Sequence, residues 1–446
     1  MLGRERVREI TEQVLAHSTA DQTEVLVLGQ ESGLTRFANS YIHQNVAEAN
    51  VEVRVRVVLD KRIGVASTND LSSEAVQKVV ETALTVARFQ PQNPDFVSLP
   101  ESQPIPEINA WVERTAAFTP QDRAQVVGVI CRRAAEKGLV ASGAFSTTSY
   151  EIAVANSLGI FAYHPLTRAH ITTVIMADSS SGYASFTSLD ATEIDAEALA
   201  REAVNKALQG RNPIEIEPGE YTVILEEHAV DDLLGFLAYL GFSALAVQEK
   251  RSFMGDKLGQ HIVGENISIW DDGLDPRGIP MPFDFEGVRK RRVDLVVRGV
   301  ARAVVYDSYT AGREPGKAST GHALPAPNTY GPMPLNMFLA PGEATKEEML
   351  ASTERGIWVT RFWYTNPVHP LKTIITGMTR DGTFLIEGGE ITRPLKNLRF
   401  TQSILEALSN VEMIGRETWL ERGGLGANRV PALKISKFTF TGVTEF

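Results

Sequence analysis

The spacing of apolar residues divides the chain into helices and strands. Val7, Ile10, Val14 and Leu15 share one helical face, which predicts a first helix over about Gly3–His17. Glu24–Leu28 is a short apolar run and reads as a strand. Val51, Val53, Val55 and Val57 alternate with Glu52, Arg54 and Arg56, the pattern of a half-buried strand with one wet face. Thr35–Ser40 lies between the two. Helical spacing returns over about Ser73–Phe89. A further helix begins at Thr119-Pro120, a capping residue followed by proline at the first helical position, and ends at Gly138. Cys131 sits inside it beside Val127 and Ile130 and reads as a small core residue.

From Ala144 to Thr187 the chain turns strand-rich, with a hairpin turn at Asn156–Gly159. A helix over about Asp195–Leu208 closes this half. Arg211–Gly219, with its prolines and glycine, reads as a linker. The second half opens with a strand at Tyr221–Leu225 and a long apolar helix around Val230–Val247. Further strands are expected near Asp294–Val297, Ala303–Val305, Leu371–Met378 and Thr383–Ile386. Asp381-Gly382 and Gly388-Gly389 have the composition of hairpin turns, and a helix follows near Ser403–Ser409. Strand and helix do not alternate regularly. The expected class is therefore α+β, with mixed sheets and flanking helices, in two domains over 1–212 and 213–446. No repeat with a period of about 20–50 residues is visible.

Composition narrows the function classes. The 446 residues are 43% hydrophobic and 22% charged, an ordinary globular balance. One cysteine excludes an intrachain disulfide and any Cys-rich zinc site. A net charge of -11 lacks the basic footprint of a nucleic-acid binder or of a protein drawn to anionic lipid. The longest apolar run, Leu233–Val247, falls short of the roughly 20 residues a membrane span needs. No targeting segment is legible, so a cytoplasmic location is expected.

The common catalytic motifs are missing. Gly312–Ser319 imitates a phosphate loop but is one residue short between its glycines, and Ala318 stands where Ser or Thr belongs, so it reads as a turn. No nucleophile elbow and no His-Glu-x-x-His are present. Glu227-His228 would end an inverted zinc motif, but Ile224 occupies its first histidine position. The histidines are scattered, and His164 and His170 read as structural. Arg289–Arg292 reads as a solvated strand entrance, and Asp271, Asp272 and Asp275 as surface turns without calcium-loop spacing. Pro-rich Leu324–Pro334 must be a loop, either a functional surface or a rigid connector.

Several stretches in order do resemble a known family. Pro218–Leu225 followed by an apolar helix resembles the start of the C-terminal half of the TldD/PmbA family, and so does Asp284–Arg289 followed by a strand and Gly299. Tyr306, Ser319–Ala323, Arg36–Asn39, Asn156-Ser157-x-Gly159, and Gly377-Met378 to Glu387–Ile391 continue the likeness over nearly the whole chain. TldD-type members carry a His-Glu-x-x-x-His zinc motif on the helix after the Pro-Gly-x-Tyr-like strand; PmbA-type members, also called TldE, lack it. The corresponding helix here, Ala229–Leu240, contains no histidine. The likeness is thus to the PmbA/TldE branch.

That resemblance implies one half of a heterodimeric metalloprotease acting on peptides or unfolded chains, a family whose older label is modulator of DNA gyrase. It implies no catalytic residue and no metal in this chain, with zinc only in a TldD-type partner. The expected partners are a TldD-like catalytic subunit or a second copy of the chain, and a peptide substrate, with no direct nucleic acid and no membrane. Sheet edges that add a strand suit such a substrate. Candidate residues lining the peptide chamber are Glu286, Arg289, Tyr306, His322 and Asn328. Gly287 and Gly321 mark backbone constraints in the same motifs. Two alternatives stay open: an independent peptidase with an unrecognised site, and a regulatory protein-binding module.

Overall fold

The computed structural model describes residues 1–423 and 426–444. Its first half runs α1 (Arg4–His17), β1 (Gln22–Ala38), β2 (Tyr41–Leu59), β3 (Arg62–Thr68), α2 (Ser73–Phe89), the single turn α3 (Glu113–Ala116), α4 (Pro120–Ala135), β4 (Val140–Asn156), β5 (Phe161–Met176), β6 (Ser181–Ser188) and α5 (Ala196–Gln209). The strands form one antiparallel sheet in the order β3-β2-β1-β4-β5-β6.

That order is a duplication. α1-β1-β2-β3-α2 and α4-β4-β5-β6-α5 are the same arrangement, meeting at the antiparallel β1–β4 pair. Corresponding glycines mark it. A Cβ on Gly64 of β3 would lie 2.5 Å from Ala87 N of α2, and one on Gly182 of β6 would lie 2.7 Å from Ala207 N of α5. A unit this long lies outside the period of about 20–50 residues at which repeats are read from sequence.

Alternation sorts the two faces of this sheet. Val25 and Val27 of β1 and Val53, Val55 and Val57 of β2 pack under α1 and α2. Phe37, Phe145 and Ile171 pack under α4 and α5, where Cys131 joins the margin of the core. Leu26, Ile152 and Val154 point the other way and meet Ile279, Met281, Phe283 and Phe285 of the second half. The helix ends follow their caps: the Ser72 side chain accepts from Ala75 N, and Thr119 and Asp122 form a reciprocal capping box.

The apolar runs understated the strands. Glu24–Leu28 is a fraction of a 17-residue strand and Val51–Val58 of a 19-residue one. Thr35–Ala38 is the end of β1, and the turn is only Asn39-Ser40, both at positive φ (52° and 61°), as a two-residue hairpin requires.

The second half contains β7 (Gly219–Leu225), α6 (Glu227–Gly241), α7 (Ala244–Gln248), β8 (Ile269–Asp271), β9 (Val293–Val297), β10 (Val300–Ala301), α8 (Ser308–Gly312), β11 (Met337–Leu339), α9 (Lys346–Ala351), β12 (Arg355–His369), β13 (Ile374–Glu387), β14 (Glu390–Pro394), β15 (Leu398–Ser403), α10 (Ile404–Ser409), β16 (Val411–Arg422) and β17 (Ala427–Val443). They build a mixed sheet whose main path is β10-β9-β8-β11-β17-β15-β13-β12-β7, with β7 parallel to β12 and antiparallel to β17. With the antiparallel sheet of the first half, this is an α+β fold.

Three expectations change here. The apolar run Val230–Val247 is two helices, because Phe242-Ser243 leaves the helix to bridge Val305. That single bridge is all that Ala303–Val305 contributes; the strand is Val300–Ala301. Asp381-Gly382 is not a hairpin turn. β13 runs straight through it, and the positive φ values of Asp381 (57°) and Gly382 (136°) form an irregularity opposite Thr360. Gly388-Gly389 does turn, between β13 and β14. No helix among the described residues is long and apolar enough to cross a membrane.

Candidate functional site

The first turns of α6 carry a polar cluster at the junction of the two halves. β7 ends by pairing with β12, with Glu226 N donating to Val359 O at 3.0 Å, and this fixes where α6 starts. Glu227, His228, Asp231 and Asp232 then share a face by helical spacing, while Leu233, Leu234 and Leu237 pack into the core as expected. His228 lies within the helix, not ahead of it.

Glu226 is the best-supported anion of the group. Trp358 Nε1 donates to it at 2.5 Å and Lys206 Nζ at 2.7 Å. Burial opposes its charge, but the Lys206 and Lys346 ammonium groups prevail and hold the carboxyl down at about 2. Lys206 Nζ also reaches Glu202 at 2.7 Å, and Lys346 Nζ reaches Glu227 at 2.7 Å. His228 Nδ1 lies 2.6 Å from Glu421 Oε1, with Tyr183 edge-on to its ring. Burial lowers the imidazole pKa, Glu421 and Glu226 together raise it, and the net direction is upward.

Asp231 accepts from Asn428 Nδ2 at 2.8 Å, and Asp232 accepts from Thr365 Oγ1 at 3.2 Å. Desolvation, with Glu421 adding to it, pushes Asp231 up to about 8. Desolvation raises Asp232 to about 6 against the Thr365 hydrogen bond and Arg361. Arg361 Nε donates to Asp381 at 2.7 Å, and Ser181 of the first half donates to the same carboxylate at 2.5 Å. The cluster thus joins one imidazole, several carboxylates and three long cations. Glu202, Glu226 and His228 each place a ligand atom within 4.8 Å of the others.

Glu286, Tyr306 and His322 lie in a different region, the interior of the second half. Glu286 is buried and accepts from both terminal nitrogens of Arg56 at 3.1 Å, and from Ser308 N at 3.1 Å. Arg56 also reaches Glu24 at 2.5 Å, so Glu286 ties β2 of the first half to the second. Burial, opposed by Arg56, pushes Glu24 up to about 7. Tyr306 donates to Glu314 at 3.0 Å, and burial raises its phenol. His322 is enclosed: Nε2 lies 2.8 Å from Asp271 and Nδ1 lies 2.9 Å from Thr320 Oγ1. Thr320 also accepts from Tyr306 N at 2.8 Å, which brings Tyr306 and His322 to one seam. Arg289 is exposed, and Asn328 caps its own loop through Gly331 O and Tyr330 N, both at 2.9 Å. Gly287 and Gly321 have positive φ of 77° and 78°, as backbone constraints.

Two surface readings are corrected. Asp271 is fully buried; burial works against its charge, but Lys290 and His322 hold its carboxyl at about 2. Lys290 is 1% exposed, inside a cluster that reads as solvated in the sequence. His164 and His170 lie within β5, with His164 Nε2 2.9 Å from Pro280 O. The sequence raised His228 only within an incomplete zinc motif, did not place Asp231 or Asp232 in a site, and missed Lys206, Arg361, Asp381 and Glu421. No local signal marks those four, because the sheets bring them in from distant parts of the chain.

Three family models match the chain in series: PmbA/TldA metallopeptidase domain 1 over residues 23–87, the central domain over 99–211 and the C-terminal domain over 218–442. A metalloprotease PmbA of Escherichia coli is 24% identical over 86% of this chain and 85% of its own length. A metalloprotease TldD homolog of Haemophilus influenzae is 23% identical over 92% and 89%. An uncharacterised protein of Methanocaldococcus jannaschii is 29% identical, the match spanning 61% of this chain and 63% of that one. The fold is shared with the crystal structure of TldE from Thermococcus kodakarensis, with a TM-score of 0.89, 20% identity and coverage of 98% of this chain and 99% of that one. A putative modulator of a DNA gyrase from Thermotoga maritima superposes with a TM-score of 0.88 and 19% identity over 98% and 100%.

Proposed function

The chain belongs to the PmbA/TldD metallopeptidase family, and from that premise we propose that it is the PmbA/TldE-type, non-catalytic subunit of a two-chain metalloprotease. Its partner is a TldD-type chain that brings the zinc, and their substrate is a peptide or an unfolded segment. Relatives named PmbA, TldD and TldE support an assembly of this kind.

The donor set on α6 carries the reading. A catalytic zinc site needs about three protein ligands, imidazole or thiolate foremost, and an open position for water. Here one histidine is available, and Glu421 holds its Nδ1 at 2.6 Å. The Lys206 ammonium lies 2.7 Å from both Glu202 and Glu226, the two carboxylates whose ligand atoms lie within 4.8 Å of that histidine's. A divalent ion there would have to displace a buried cation of like sign. The residues therefore do not fit a resident catalytic zinc, and no reaction step is assigned to one in this chain.

Of the candidate chamber residues, exposed Arg289 and the Asn328 loop would face the peptide. Glu286, Tyr306 and His322 would act from behind, holding the shape of that surface. A net charge of -11 argues against direct contact with DNA.

A second reading has one observation in its favour. Asp231, pushed up to about 8, keeps its proton at neutrality, as a general acid must, beside Asp232, which at about 6 is largely ionised there. An independent peptidase built on them would cleave peptide without a partner. Zinc content of the purified chain, after zinc supplementation and dialysis, tests the main reading. Far less than one bound zinc per chain is expected; one tightly bound equivalent would overturn it.

A further inference from the structure

We propose that the gap between the two helix pairs of the first half binds a free carboxylate, presented by an amino acid or a short peptide with both termini free. α1 and α2 cover one end of the six-stranded sheet, and α4 and α5 cover the other. Between them β1, β4 and part of β2 are left as a floor beside α3 and the start of α4, where Glu31 stands opposite Ser149 and Gly33 opposite Thr147. The space above it is about 330 Å³, the small end of the range for ligand pockets.

Arg123 of α4 forms one wall. It is 2% exposed and lies flat on Gly33, where a Cβ would come within 2.6 Å of its Cζ. Its Nε donates to Thr35 Oγ1 at 3.1 Å, and its Nη1 donates to Phe118 O at 3.1 Å and Thr147 Oγ1 at 3.0 Å. All three acceptors are neutral. Among the described residues Arg123 forms no ion pair, Asp122 acting on it only through charge from the adjacent position, and its Nη2 has no hydrogen bond. A buried cation without a bonded countercharge is unfavourable; a ligand carboxylate would supply one. Ser149, 5% exposed on the same floor, has a hydroxyl without a protein partner among the described residues. Arg123 and Ser149 thus line one space in which neither is bonded to a carboxylate, a donor pair suited to a carboxylate.

The rim selects among anions. Glu31 and Glu48 both border the space. Glu31 is paired with the N-terminal ammonium of Met1, while Glu48 is exposed and unpaired among the described residues. A carboxylate at the mouth repels a dianion such as phosphate and attracts an ammonium. A zwitterion satisfies both, with its carboxylate at Arg123 and its amine toward Glu48. The choice of a peptide among zwitterions rests on the peptidase reading above.

Calorimetric titration of the intact chain tests this without partner or cleavage. The probes are alanyl-alanine, its C-terminal amide, its N-acetyl form and inorganic phosphate. Alanyl-alanine should bind, amidation should weaken it about tenfold or more, and acetylation should weaken it several-fold. Arg123→Met should abolish binding, Ser149→Ala should weaken it while keeping the guanidinium in place, and Glu48→Gln should mimic acetylation. No binding to the folded chain, equal binding of acid and amide, or equal competition by phosphate would overturn the proposal. Such a failure would leave the zinc and subunit predictions untouched. Conversely, one zinc per chain with intact dipeptide binding would remove only the subunit reading.

Discussion

Lys206 governs what the polar cluster on α6 can hold. Its ammonium is the main countercharge of Glu226, whose side chain is 4% exposed. Lys206→Met would leave that carboxylate buried and short of a cation, and should lower unfolding stability by about 3 kcal/mol, read from the urea midpoint. Asp231 makes the opposite kind of mark. Its pKa rises on folding, so the folded chain binds that proton more tightly than the unfolded one. The associated stability is complete below about pH 4 and is lost as pH rises through about 8. Asp231→Asn, which keeps an acceptor toward Asn428, should flatten that decline and make the variant the more stable form at alkaline pH. Urea midpoints across this range check it. At this scale the sequence set His228 aside with an incomplete zinc motif and placed neither Asp231 nor Asp232 in a site, although helical spacing puts all three on one face. It could not identify Glu421 or Lys206, which reach the cluster only through sheet pairing and the docking of α5.

Elements were legible where one face is apolar and the ends are capped. α2, α4 and α5 sit where their spacing and their Ser72, Thr119 and Asp195 caps place them. Strands were read short because β1 after residue 29 and β2 before residue 51 are mostly polar and less buried while their backbone pairing continues to the Asn39-Ser40 turn. Asp381-Gly382 misled because a glycine at positive φ serves a strand irregularity as well as a turn. Gly182 and Gly235 separate two uses of glycine. Gly182→Ala would force its Cβ against α5 and should cost about 1–3 kcal/mol. A Cβ on Gly235 of α6 meets nothing within 4 Å, so Gly235→Ala should stabilise by about 0.5–1 kcal/mol. Thermal unfolding of the two variants side by side decides both.

At the scale of the molecule, the family was legible because its motifs recur in order along the whole chain. The internal duplication was not, because two long units can share topology while conserving little beyond a close-packing glycine such as Gly64 or Gly182. The halves are tied by charge as well as by apolar contact, through Arg56 between Glu24 and Glu286 and through Asp381 between Ser181 and Arg361. The acidic surface should leave duplex DNA unbound at physiological salt, which a gel-shift assay reads directly. The central claim is that this chain completes a peptidase whose metal another chain holds. Peptide cleavage by mixtures with a TldD-type chain, at rising ratios and with zinc present, tests it most directly. The expected result is no cleavage by this chain alone and activity that climbs to a plateau at one copy per partner. Zinc-dependent cleavage by this chain alone, or a partner indifferent to its presence, would contradict the claim.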